Sequence, residues 1–225
     1  MPDLADAFGY GAKDVTNMMI GGAVILVGAI LLLIVVGLIP LFVMTGYLLR
    51  VAETTIKRGA KVPPEWDNIG DLLVKGIMAV IIWSVYLLII PAGVFLLFAD
   101  WGLFSALDSS DPATITAAME GMALAIVAAG IIDIIMWFPC MVGIMRYAET
   151  GSVREAFAIG KIINELKAKL MEYVGACIVL MATGAVVGVI TTFLKIVIGL
   201  LLSPFILFYY MVMYYRMLAK IYAKT

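Results

Sequence analysis

Four long stretches of the chain carry almost no charge, and they constrain the fold more than any other feature. Only two charged residues interrupt them, Asp133 in the third stretch and Lys195 in the fourth. A helix that crosses a bilayer needs about 20 apolar residues. The second and third stretches therefore predict one spanning helix each, and the fourth predicts two. The stretches are residues 15–49, 76–99, 121–145 and 173–215.

The overall composition supports the same class of protein. Hydrophobic residues make up 64% of the chain and charged residues 14%, and the mean hydropathy is +1.12. A soluble domain has about 45–50% apolar and about 25% charged residues. We expect an all-α polytopic transmembrane helix bundle of five to six membrane helices, built as one integral domain over residues 1–225.

Several chemistries are excluded by the composition. The chain has no histidine, which removes His-based catalytic triads and mixed Cys/His zinc sites. Its net charge of −1 argues against a nucleic-acid partner. Cys140 and Cys177 both lie in apolar stretches, where buried structural thiols are expected. No cofactor motif is present, and we expect none to be bound.

The first uncharged stretch allows two arrangements. It is too long for one straight spanning helix and short for two. A hairpin with a tight bend near Gly37 and Pro40 is one arrangement, and a single kinked helix with the N-terminus outside is the other. Both stay open at this point.

The distribution of basic residues predicts the orientation. Residues 50–75, 146–172 and the tail from Arg216 hold 13 of the 15 Lys and Arg residues. Residues 100–120 have none, but hold four acidic residues. Cytoplasmic loops carry an excess of Lys and Arg. We therefore expect a multi-pass protein of the cell membrane with its basic loops and C-terminus in the cytoplasm.

Short motifs recur where the predicted helices leave and enter the membrane. The segment Arg50-Val-Ala-Glu-Thr resembles Arg146-Tyr-Ala-Glu-Thr, and a weaker copy begins at Arg216. Entrance motifs recur around Asp6, Asp71 and Glu155. Membrane folds are often built from internal repeats. The motifs predict three helical hairpins, over residues 1–58, 65–150 and 151–225.

Two segments between the apolar stretches have local signatures. Ser152 and Glu155 have capping-box spacing and begin a predicted cytoplasmic amphipathic helix at about residues 152–172. Before the second stretch, Pro63 and Pro64 should end the preceding helix. Trp66 follows them and is suited to the headgroup belt, where it would act as an interface anchor.

The region from Gly46 to Gly76 carries a family resemblance. Gly46-Tyr-Leu-Leu-Arg, then Pro64-Glu-Trp-Asp, then Gly70-Asp-Leu and Gly76 resemble the membrane proteins of domain-of-unknown-function family 4013. The resemblance implies a multi-helix fold and an archaeal origin. It implies no active site.

Asp133 is the strongest candidate for a functional residue. It lies near the middle of an apolar stretch, where a carboxylate costs about 2.5–3.5 kcal/mol to insert. It is either a proton- or cation-binding group or a hydrogen-bonded lock between helices. Lys195, expected to be an interface anchor, and Arg50 are its possible partners at an intramembrane polar site.

Small residues mark two predicted helix-packing surfaces. One is a stripe at four-residue spacing that leads to Asp133, and the other is a GxxxG motif. Such surfaces allow close contact between helices of one chain or of two copies. The residues are Ala117, Gly121, Ala125 and Ala129 in the stripe, and Gly184 and Gly188 in the motif.

Two function classes follow from these features. The first is a non-enzymatic scaffold or subunit of a larger membrane complex, surrounded by membrane lipids and associated with further copies or partner chains. The alternative is a transporter or channel for protons, cations or small solutes that uses Asp133. Few polar residues lie within the apolar stretches, which favours the first class.

Overall fold

The computed structural model describes residues 4–31, 38–98, 106, 111–193 and 198–223. All regular secondary structure in these residues is helical. The helices are α1 (Leu4–Ala12), α2 (Val15–Leu31), α3 (Leu38–Arg58), α4 (Ile69–Ser84), a π-helical turn (Val85–Ile89), α5 (Ile90–Phe98), α6 (Pro112–Thr150), α7 (Val153–Ala156), α8 (Ile159–Phe193) and α9 (Ile198–Ala223).

Four helices within the described residues are long and apolar enough to cross a membrane. They cover Leu38–Arg58, Ile69–Leu97, Pro112–Thr150 and Ile159–Val189, and a shorter apolar helix covers Val15–Val27. The predicted all-α membrane helix bundle is confirmed. The number of five to six membrane helices stays a prediction.

The first uncharged stretch forms two helices instead of one. α2 and α3 pack against each other, and both pack against α9. At the start of α2, the carbonyl of Asn17 accepts a hydrogen bond from the Trp66 indole, which follows α3. The beginning of α2 and the end of α3 therefore lie at the same end of the bundle, as in a hairpin. Residues 32–37, which include the predicted bend at Gly37, lie outside the described residues.

The chain divides into two compact units. The first comprises Met1–Val80 and Met141–Thr225, and the second comprises Ile81–Cys140. In the first unit α3 is the central helix, because 56% of its most apolar window is buried, against 11% for α8. Tyr47 and Leu48 are fully enclosed in this core.

Two glycines allow α3 and α4 to approach closely. A Cβ atom at Gly46 would lie 1.8 Å from the carbonyl oxygen of Leu72, and one at Gly76 would lie 1.7 Å from that of Phe42. Any side chain would therefore collide with the backbone of the facing helix. The sequence segment that carries the family resemblance contains both glycines, and its packing now explains them.

Within the second unit, a π-helical turn precedes Pro91. Proline has no N–H and its ring crowds the carbonyl four residues earlier, which here belongs to Leu87. The backbone N–H of Ile90 bonds instead to the carbonyl of Val85, five residues back. The wider turn accommodates the proline without ending the helical path.

Local capping signals were partly right. Asn68 accepts a hydrogen bond from the backbone N–H of Asp71, and Asp111 accepts two from Ala113 and Thr114, so each of these residues caps the helix that follows it. The predicted role of the prolines was wrong, because α3 already ends at Arg58. Gly59 ends it with a φ of +57°, which glycine adopts at little cost.

The predicted continuous helix over residues 152–172 was wrong. It is broken after Ala156, and the chain resumes at Ile159 in α8, which continues into the fourth apolar stretch with non-helical dihedrals at Lys169. The Ser152 side chain makes no cap hydrogen bond, so the predicted capping box does not form. Lys169, which lies within the predicted amphipathic segment, is 8% exposed.

Two glycines of α4 give a matched test of the close approach. Gly76→Ala should lower the free energy of unfolding by about 3 kcal/mol, because backbone must move to admit the methyl group. Gly70→Ala should be neutral or slightly stabilising, since nothing lies within 4 Å of its Cβ position. Thermal unfolding of both variants in mild detergent measures the difference, and equal melting temperatures would contradict the packing.

Candidate functional site

The first candidate site is the carboxyl group of Asp133. It lies on α6 within the second unit and is half-buried. Its Oδ1 atom is buried and has no hydrogen-bond partner among the described residues. Cys140, a buried free thiol, lies seven residues later, two helical turns along the same face. The structure thus places a carboxyl oxygen in an apolar helix without a visible internal donor.

One predicted partner of Asp133, Arg50, is engaged with other acids. The Arg50 guanidinium binds Asp67 and Asp71 within the first unit. Lys195 lies outside the described residues. A polar site that joins Asp133 to either cation therefore stays a prediction.

The predicted packing residues differ in their exposure. On α6, Ala125 is fully buried, Gly121 and Ala129 are half-buried, and Ala117 is exposed. On α8, the Cβ position of Gly184 lies 3.1 Å from the Tyr210 hydroxyl, whereas nothing lies within 4 Å at Gly188. Gly184 thus packs within the chain, whereas the Cβ position of Gly188 meets no described residue.

Trp66 is part of an aromatic cluster. Its ring stacks on Tyr47 with centroids 4.0 Å apart, and Phe208 of α9 contacts both rings at 5.7 Å. The indole N–H bonds to the carbonyl of Asn17 at 3.1 Å. Trp66 therefore ties the loop after α3 to α2 and α9, and its role as a headgroup anchor stays a prediction.

The second candidate site is a network of ion pairs at the end of the first unit where the basic residues gather. It begins with Arg50, whose side chain is 12% exposed. The guanidinium donates to the backbone oxygen of Asp67 at 2.8 Å, to the carboxylate of the same residue, and to Asp71 at 3.1 Å. Lys75 bridges Asp71 and Glu53, at 3.0 and 2.8 Å.

Arg146 forms the second pair. Its guanidinium donates to the carboxylate and, at 3.2 Å, to the backbone oxygen of Glu155. Lys161 bonds the same carboxylate at 3.0 Å. Glu155 is therefore held by tertiary contacts, which explains why it does not cap the helix that begins near Ser152.

Arg216 forms the third and most buried pair, with a side chain that is 3% exposed. It donates to Asp6 at 3.3 Å and to the Thr55 hydroxyl at 2.8 Å, and it lies 4.3 Å above the ring of Tyr10. Lys220 also pairs with Asp6, at 2.6 Å. Three helices, α1, α3 and α9, meet at this guanidinium.

Together the three arginines form a closed circuit. Each is the arginine of a predicted exit motif, and each pairs with an acid of a predicted entrance motif. In each pair the arginine and the acid belong to different predicted hairpins. The pairs are Arg50 with Asp71 of the second hairpin, Arg146 with Glu155 of the third, and Arg216 with Asp6 of the first. We call this set of three pairs the clasp. It gives the proposed hairpin repeats a shared structural role.

The clasp shifts the pKa of Asp6 and of Glu155. Burial raises the pKa of Asp6, but the hydrogen bond from Lys220 and the charge of Arg216 outweigh it and lower the pKa below 3.8. The hydrogen bonds from Arg146 and Lys161 lower the pKa of Glu155 below 4.5. Both groups therefore favour their charged form in the folded protein.

One buried cation was missed by the sequence analysis. Lys169 donates to the carbonyl oxygens of Ile221 and Tyr222, at 3.0 and 2.9 Å, and pairs with Glu165 at 3.0 Å. A cation at the C-terminal end of α9 is stabilised by the helix dipole. The four-residue spacing of Glu165 and Lys169 is typical of an ion pair on a helix, but it gives no indication of burial.

No metal centre emerges from these clusters. The part of the chain that the structure describes holds no group of three Cys, Asp or Glu side chains placed to bind a metal ion. The acids of the clasp are occupied by arginine and lysine side chains.

Acid should weaken the clasp. Because the folded-state pKa of Glu155 is below its unfolded value, the pair stabilises the fold above about pH 4.5 and is lost as pH falls through the lowered pKa. The melting temperature of the wild type should fall in this pH window. That of Glu155→Gln should fall less, because this variant already lacks the ion pair between Arg146 and residue 155. Glu65→Gln should follow the wild-type curve, because the Glu65 carboxylate has no partner among the described residues. Identical curves for all three proteins would contradict the role of the pair.

Comparison with known proteins identifies the family. Neither a curated protein nor a solved structure matches the chain. A family model does, over residues 29–196, about three quarters of the chain. The archaeal association that the resemblance implied stays a prediction. The chain belongs to the family described as protein of unknown function (DUF4013).

Proposed function

We propose that this protein is a non-enzymatic assembly protein of the membrane, a scaffold or subunit that binds further copies or partner chains through α6 and α8. The observation that carries the proposal is the length and exposure of α6. Its 39 residues span about 58 Å, almost twice the roughly 30 Å hydrocarbon core of a bilayer.

The outer part of α6 supports a partner surface. If Arg146 lies near one membrane surface, about 20 residues cross the hydrocarbon core and the helix emerges near Ile126. The residues before that point still include exposed apolar side chains, among them Met119 at 61% and Leu124 at 62%. Exposed apolar surface outside the lipid is a common feature of binding sites.

The charged groups fit a structural role better than catalysis. The carboxylates of the clasp are bound by arginine and lysine, and Glu149 accepts a hydrogen bond from the Tyr222 hydroxyl at 2.7 Å. An acid or base for catalysis needs a group that is free to exchange protons with a substrate. We therefore assign no enzymatic activity to this end of the protein.

Orientation is part of the proposal. The clasp gathers the basic motifs at one end of the first unit, and the positive-inside rule assigns such an end to the cytoplasm. Membrane lipids would then surround the exposed apolar faces of the spanning helices.

Gly188 tests self-association. Gly188→Leu places a bulky side chain at a position where no described residue lies within 4 Å of the Cβ atom, so a loss of native mass would reflect a contact between copies. Gly160→Leu is the control, because it lies on the same helix and also has no described residue within 4 Å of its Cβ position. Native mass spectrometry in mild detergent measures the assembly. A smaller particle only for the Gly188 variant supports a contact at this motif, and a monomeric wild type would contradict homo-oligomer formation.

One observation favours a second function, which is transport of protons or cations through Asp133. Its Oδ1 atom is buried without a donor among the described residues, and a protonatable group in an apolar span often marks an ion pathway. Transport requires this carboxyl group to bind and release the ion. A structural lock requires only a hydrogen bond.

Asp133→Asn separates the two roles. The amide keeps the size and hydrogen-bonding capacity of the side chain but cannot bind a proton as a carboxylate does. If Asp133 is structural, the variant should melt like the wild type, and neither protein should move protons into vesicles that contain a pH-sensitive dye. Asp133→Leu should then be the less stable variant. A wild-type flux that the Asn variant lacks would instead establish transport.

A further inference from the structure

A polar cleft lies beside the clasp, at the end of α3. Its volume is about 490 Å³, within the range of small-ligand sites. One wall is the last charged turns of α3, and the other is the loop that leads to α4. Its charged lining residues are Arg50, Glu53, Lys57, Arg58, Glu65 and Asp67.

The loop that forms one wall of the cleft is held in place by hydrogen bonds to its backbone carbonyls. The Tyr10 hydroxyl donates to the carbonyl of Val62 at 3.1 Å, and the Tyr47 hydroxyl donates to that of Pro64 at 2.9 Å. Arg50 donates to the carbonyl of Asp67 at 2.8 Å. Three loop carbonyls are thus held by side chains of the first unit, and the cleft is formed in advance of any ligand.

Most charges of the cleft are already neutralised. Arg50 is paired with Asp67, and Glu53 is paired with Lys57 at 2.8 Å. Two opposite charges remain without a partner among the described residues, the guanidinium of Arg58 and the carboxylate of Glu65. They line the same cleft and do not pair with each other.

We propose that the cleft binds the headgroup of an aminophospholipid, with its phosphate on Arg58 and its primary ammonium on Glu65. A ligand that carries one negative and one positive group satisfies both unpaired side chains, whereas a purely anionic ligand would be repelled by the carboxylate of Glu65. The position of the cleft at the end of a spanning helix places it where lipid headgroups lie. This inference does not depend on the proposed function.

The chemistry of the ammonium makes the assignment specific. A primary ammonium has three N–H donors for a carboxylate. The quaternary ammonium of phosphatidylcholine has none, and phosphatidylglycerol has no cation. Phosphatidylethanolamine should therefore bind more tightly than either lipid.

Native mass spectrometry of the full chain in mild detergent tests this order with the three lipids. Arg58→Gln and Glu65→Gln should each weaken phosphatidylethanolamine binding by roughly two- to fivefold, as expected for exposed ion pairs. Glu65→Gln should also remove the preference over phosphatidylcholine. Both side chains are exposed, so we expect unchanged melting temperatures. Lys61→Gln is the control, because Lys61 is an exposed cation that does not line the cleft.

Three results would overturn the proposal. Phosphatidylglycerol could bind as tightly as phosphatidylethanolamine, which would indicate attraction by positive charge alone. Lys61→Gln could weaken binding as much as Arg58→Gln, which would exclude a defined site. Soluble phosphoethanolamine could displace the lipid at equal concentration, which would assign the cleft to a soluble ligand. Failure of displacement supports the membrane lipid.

Discussion

The contact between the two ends of the chain determines the architecture of the first unit. Arg216 and Asp6 are separated by 210 residues, and yet the guanidinium is almost completely removed from solvent. Removal of one partner of a buried pair costs about 3–5 kcal/mol, because the remaining charge has no compensation. α9 can therefore bury Arg216 only where α1 supplies its carboxylate and Thr55 of α3 accepts a further hydrogen bond. With the Arg50 and Arg146 pairs, this contact links the three predicted hairpins to one another.

Local sequence rules were sufficient where no distant group competed. The uncharged stretches predicted spanning helices, and Asn68 and Asp111 cap helices through bonds to residues two or three positions later. The same rules failed at Ser152 and Glu155, which have capping-box spacing. There the carboxylate binds Arg146, and a charge-assisted bond to a largely buried guanidinium outweighs a local cap. The proline rule also failed after α3, because Gly59 had already ended the helix in the left-handed conformation that favours glycine.

The candidate sites were visible in the sequence only in part. Asp133 was found because an acid in an apolar span is costly wherever it lies. The repeated motifs identified all three arginines and acids of the clasp, but not which would meet, because that depends on how the hairpins are arranged in space. The close approach of Gly46 and Gly76 could not be predicted, since the two glycines lie on different helices and neither forms a spacing motif with the other. The burial of Lys169 depends on the end of α9, which is about 50 residues away in sequence.

The clasp also explains why the net charge of the chain is a poor guide to its surface. The chain as a whole is slightly acidic, with a net charge of −1 and a pI of about 5.4. At the basic end, however, most carboxylates form ion pairs or hydrogen bonds within the chain, so neighbouring groups compensate their negative charge. The exposed cations without a described partner are Lys13, Arg58, Lys61, Arg154 and Lys167. Each cation near an anionic membrane surface contributes about 1 kcal/mol of attraction. The end of the first unit that carries the clasp therefore exposes several cations, although the chain as a whole is slightly acidic.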